Sequence, residues 1–133
     1  MAGIIDLAAL LKTMEPVLHD TEYVFCSVSG DLEEYVPLSP IATFQEHEGL
    51  TLIVTKAAAQ QYGLEYEGPF NQITLSVHSS LDAVGLTAAV ARCLTEQGIS
   101  ANVVAAFYHD HIFVQTSDAQ AAHSALTQLA ASS

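Results

Sequence analysis

The sequence predicts an α+β fold of two tandem units, each an antiparallel sheet with helices on one face. The first observation behind this is the run Ile73 to Val114, ITLSVHSSLDAVGLTAAVARCLTEQGISANVVAAFYHDHIFV, which reads strand, helix, strand, tight turn, strand. The second is that strand, hairpin and helix occur in both halves, the mark of a diverged duplication joined near Gly63 to Pro69. A ferredoxin-like βαββαβ unit accommodates both patterns. The expected halves are 1–68 and 69–133, interdependent and sharing a core. The second half reads βαββα, one strand short, so the first half or a partner chain is expected to cover the open edge.

The elements follow in order. Ile4, Ile5, Leu7, Ala8, Leu10 and Leu11 recur at helical spacing, and Pro16 ends that helix. Glu22 to Val28, EYVFCSV, is rich in β-branched and aromatic residues and reads as a strand leading into a loop that runs to about Pro40. Ile41 to Val54 reads as a hairpin turning at Glu46-His47-Glu48-Gly49, with Gly49 supplying a positive φ. Thr55 caps a short helix, KAAAQQY, and Gly63 stops it. Strand pattern resumes through Leu64 to Glu67, crosses Gly68-Pro69 and continues from Phe70 to Val77. A helix from Leu81 to Gln97 places Val84, Ala88, Ala91 and Leu94 on one face, and Gly98 terminates it. Strands at Ser100 to Phe107 and His111 to Gln115 hinge at Tyr108-His109-Asp110, and Ser117 or Asp118 opens a last helix through Leu129.

Composition narrows the function. Half of the 133 residues are apolar, enough for a core without staples. Fifteen acidic against three basic residues give a net charge of −12, which repels nucleic acid and anionic membrane surfaces. Cys26 and Cys93 lie far apart without metal or redox spacing, and no stretch is long enough to span a bilayer. With no basic leader at the N-terminus, a cytoplasmic location with buried, reduced thiols is expected.

The residues Asp82-Ala83-Val84-Gly85-Leu86 opening a helix and Glu96-Gln97-Gly98-Ile99-Ser100 closing it resemble the ACT domain. With EYVFCSV, ATFQEHEGLTLIV, ITLSVHSSLDAVGLTAAV and SANVVAAFYHDHIFV, nearly the whole chain resembles short bacterial tandem ACT-like proteins of no assigned function. The resemblance implies an amino-acid-binding or regulatory fold, usually dimeric and without catalysis of its own. Val84 departs from the family, which commonly has Pro before the Gly.

Two constellations are candidates for chemistry. A helix N-terminus leaves backbone N–H groups unpaired and carries partial positive charge, a seat for a carboxylate. The turn His78, Ser79, Ser80, Leu81, Asp82, Ala83, Val84 and Gly85 is such a start, although a serine or Asp82 also serves as an ordinary cap. The second is Tyr108-His109-Asp110-His111. In a ferredoxin-like sheet its hairpin sits at the end where the first strand exits, bringing His109, Asp110 and His111 toward His78. Asn102, unusual in a strand, either faces a cleft or meets a strand edge. Arg92 is expected to pair with Glu96 four residues on.

The expected function is a non-enzymatic sensor, needing no cofactor, that binds an amino acid or similar carboxylate at the strand-to-helix turn. Backbone amides around Ser80 to Gly85 would hold the carboxylate and Asp110 the ammonium. A homodimer is the expected assembly. The alternatives are a metal-binding protein or metal-dependent enzyme using His78, His109 and His111, and a structural dimer with a vestigial pocket.

Overall fold

The computed structural model describes residues 6–76 and 85–133. Helix α1 is Leu7–Thr13, followed by strand β1, Pro16–Val28, and a short helix α2, Leu32–Tyr35, with a 3₁₀ turn at Val36–Leu38. Strands β2 (Ala42–Gln45) and β3 (Leu50–Thr55), helix α3 (Lys56–Gln61) and strand β4 (Glu67–Leu75) come next. Helix α4 (Leu86–Glu96), strands β5 (Asn102–Ala105) and β6 (Asp110–Gln115), a 3₁₀ turn at Thr116–Asp118 and helix α5 (Ala119–Ala131) complete the described order.

The chain divides into two compact units, one of residues 1–20 with 71–133 and one of residues 21–70. In the first, the strand order is β1-β4-β6-β5, with α1, α4 and α5 packed on one another. Ile73 and Leu75 of β4 and Ile112 and Val114 of β6 alternate toward the helices, where Leu10 of α1, Met14 just after it, Leu86, Val90 and Leu94 of α4 and Leu126 of α5 close the core. Leu86, Val90 and Leu94 stand four residues apart, one stripe of α4. Ala88, expected on that stripe, is exposed.

The unit of residues 21–70 has strand order β2-β3-β1. Its antiparallel register pairs Val24 with Val54 and Cys26 with Leu52, and on the other side Thr43 with Leu52. Val24, Cys26, Leu50, Leu52 and Val54 meet Leu38 and Ala59 in a second core cluster. Phe25 and Phe70 pack edge to face with ring centroids 5.1 Å apart.

Several expectations change. β1 begins at Pro16, six residues before the expected Glu22, because proline is tolerated as the first residue of a strand. The expected loop to Pro40 contains α2 and the 3₁₀ turn. Gly49 is not among the glycines with positive φ. It is needed for room, since a Cβ there would sit 2.9 Å from Ser27 Oγ and 3.0 Å from the Val28 carbonyl oxygen. The Thr55 cap forms as expected, with the Ala58 N–H donating to Thr55 Oγ1 at 3.1 Å. Asp118 precedes α5, but its side chain makes no capping hydrogen bond.

Candidate functional site

Of the strand-to-helix turn, His78, Ser79, Ser80, Leu81, Asp82, Ala83 and Val84 lie outside the described residues. Gly85 is described and occupies the N-cap position of α4 with φ +100°. That backbone conformation cannot lie inside a right-handed helix, so the described helix begins at Leu86. A Cβ at Gly85 would come 3.1 Å from Leu7 Cδ2, so the glycine also lets α1 close over the start of α4.

The hairpin between β5 and β6 turns one residue earlier than expected, with the Ala106 N–H donating to the His109 carbonyl at 3.0 Å. Phe107 and Tyr108 stand at its tip, 69% and 62% exposed, their rings edge to face. His109 lies 6.3 Å from His111, ring centre to ring centre. Asp110 opens β6 half-buried, and burial raises its carboxyl above the ordinary range, with partial relief from His111.

His111 alternates to the face of β6 opposite Ile112, away from the helices. There it meets residues that the sequence reading left out. The Gln72 carboxamide nitrogen donates to His111 Nδ1 at 2.9 Å, and Thr74 Oγ1 lies 3.0 Å from the same nitrogen. Thr74 Oγ1 also lies 2.8 Å from His19 Nε2, so a polar chain crosses β1, β4 and β6. Asn71 anchors its end, donating to the His19 carbonyl at 3.0 Å. Burial, and then the neighbouring His109, hold the proton affinity of His111 below the ordinary histidine range; Asp110 acts in the opposite direction and His19 adds to the depression.

Asn102 meets the strand edge: its Nδ2 donates to the carbonyl of Phe113 of β6, its register partner, at 3.2 Å. Arg92 and Glu96 do not pair; the ion pair found among the described residues is Lys56–Glu22, at 3.7 Å. Arg92, Cys93 and Glu96 instead line a groove of about 400 Å³ with Ala125, Gln128 and Leu129 of α5. Cys93 donates to the Ala125 carbonyl, and burial raises its thiol, so it is a poor nucleophile. Cys26 is buried and free. Among the described residues, no three His, Cys, Asp or Glu side chains gather to hold a metal ion. Nor is any described helix long and apolar enough to cross a membrane.

Strands and helices arranged in this way define a tandem α+β protein with helices packed on a six-stranded antiparallel sheet. The chain belongs to the ACT domain family, with family profiles of that description matching residues 2–71 and 67–128. It is similar to a Vibrio cholerae protein of unknown function, described as a possible transport protein, at 56% identity and TM-score 0.87 over 93% of this chain and 95% of that one. An Agrobacterium tumefaciens protein shares the fold at 15% identity and TM-score 0.70, covering 88% of this chain and 89% of that one. The ligand-free regulatory subunit of aspartate kinase from Thermus thermophilus does so at 12% identity and TM-score 0.69, covering 90% and 97%. No curated protein matches the chain.

Proposed function

We propose that this protein is a non-enzymatic regulatory module that binds an amino acid or similar small carboxylate at the opening of α4. Gly85 carries the proposal: at the N-cap of an 11-residue helix it presents a backbone start with no capping side chain of its own. Such a start favours an anionic group through its amides and partial charge. In this reading the ligand carboxylate meets the amides of Ser80 to Gly85, with the Ser79 and Ser80 hydroxyls and His78 nearby. Asp110 takes the ammonium group, and His109 and His111 contact the ligand side chain. The two family matches, 2–71 and 67–128, support two halves at 1–68 and 69–133. A cytoplasmic homodimer that acts through a separate partner protein completes the proposal.

The test is a thermal-shift screen of the twenty amino acids and common divalent metals on chelator-treated protein, because a ligand that binds only the folded state raises its midpoint. A rise with one amino acid that disappears in Asp110→Ala supports the proposal. A rise with metal alone shifts the reading to the histidines His78, His109 and His111, and no response to any amino acid overturns it.

A further inference from the structure

The polar chain through His111 has a defined direction. A carboxamide nitrogen has only protons to offer, so Nδ1 of His111, 2.9 Å from Gln72 Nε2, must present its lone pair. The ring is therefore neutral and carries its proton on Nε2. Gln72 is only 8% exposed, so this arrangement is built into the sheet rather than borrowed from solvent.

A second proton on His111 has one place to go, Nδ1. Its N–H would then face the Gln72 NH₂, donor against donor, in a largely buried place. Turning the carboxamide over removes the conflict by presenting its oxygen to Nδ1–H. Thr74 must respond as well, since its oxygen sits 3.0 Å from Nδ1 and 2.8 Å from His19 Nε2. It presents a lone pair to the new N–H and so cannot send its single proton to His111; its second lone pair leaves it able to donate to His19 Nε2 or to accept from it.

We propose that His19, Gln72, Thr74 and His111 form a proton-driven switch in which protonation of His111 turns over the Gln72 carboxamide and turns the Thr74 hydroxyl proton away from His111. The switch links residues 16–20 of β1 with β4 and β6, and it does not depend on the ligand reading above. Among the described residues, the groups that bias it are few. Asp110 favours the charged ring, whereas His109 and His19 oppose it, as does burial. β5 carries no titratable side chain, and neither does β4 from Asn71 to Leu75.

The experiment is a nitrogen-detected NMR titration of the histidine rings and the Gln72 side-chain NH₂, from about pH 8 to about pH 5, the range in which histidine titrates. The expected result is a neutral His111 with its proton on Nε2 at the upper end, and Gln72 NH₂ signals that move with the same midpoint as the His111 ring. Gln72→Glu supplies a ready acceptor and should raise the proton affinity of His111 by roughly tenfold or more, one pKa unit. A His111 that holds its proton on Nδ1 at the upper end, or Gln72 signals that stay still through its titration, would overturn the switch. So would an unchanged midpoint in a folded Gln72→Glu protein. If that variant does not fold, the wild-type spectra decide alone.

Discussion

Replacing Gly85 by alanine should destabilise the protein more than replacing Gly98, although both glycines flank α4 and both have positive φ, +100° and +72°. At Gly98 a Cβ meets nothing within 4 Å. Gly98→Ala should therefore cost only the strain of a left-handed residue, about 1–2 kcal/mol. At Gly85 the φ lies further from the left-handed minimum, and the new methyl would press on Leu7 Cδ2 at 3.1 Å. Leu7 ends in a flexible side chain, so it yields by a few tenths of an ångström, loosening α1 against the core. We expect a total near 3 kcal/mol, with about 1 kcal/mol of it from the contact. Equilibrium urea denaturation of the two single variants measures the difference. Adding Leu7→Ala isolates the cause, since the penalty of Gly85→Ala should drop to about that of Gly98→Ala once the leucine is gone. Equal penalties at the two glycines, or a Gly85→Ala penalty indifferent to Leu7, would refute the reasoning.

Leu126→Ala, at a site with no exposure among Leu10, Leu94 and Ala122, should cost about 2–5 kcal/mol in the same assay, and a loss under 1 kcal/mol would mean the α5 core is not packed as described. Thr55→Ala removes the side-chain acceptor of the Ala58 N–H and should cost about 1 kcal/mol, whereas Thr55→Ser should keep most of it. Mild acid should destabilise the fold through His111. Its folded proton affinity lies below the unfolded one, so stability present above about pH 6.5 is lost as the pH falls through that value toward the folded one. Asp110 has the opposite sign: its raised carboxyl means that stability is regained as the pH falls through its folded value. Urea midpoints measured against pH should show the first slope in wild type and a shallower one in His111→Gln; equal slopes would remove His111 as the source.

Where the sequence carried a strong local signal, it was sufficient. Thr55 before KAAAQQY, Gly98 after Gln97 and the apolar-polar alternation of Ile73, Thr74 and Leu75 each reflect chemistry confined to a few neighbours, and each of these elements forms. The start of β1 was hidden because Pro16 reads as a helix stop, and the same residue begins a strand. The same misreading left residues 17–21, His19 among them, without an element. Gln72 and Thr74 could have been noticed, since the alternation that buries Ile73 and Leu75 turns them to the opposite face. Their partner was beyond reach, however: which strand lies beside β4, and at what register, depends on contacts 37 and 39 residues apart. Asn102 shows the same limit, because its oddness in a strand was legible but its bond to the Phe113 carbonyl depended on the pairing.

The division of the chain into residues 1–20 with 71–133 around an uninterrupted 21–70 has a consequence for synthesis on the ribosome. The inserted stretch holds all of its own core and has what it needs to collapse as soon as its last strand emerges. Leu10 and Met14, made before that stretch, must wait for Leu94 and Leu126, made after it. Until then an apolar helix travels without its partners, in the company of whatever chaperone attends the nascent chain. A ribosome that terminates past Leu75 would release a product with one half complete and the other lacking α4, β5, β6 and α5, a natural substrate for proteolysis.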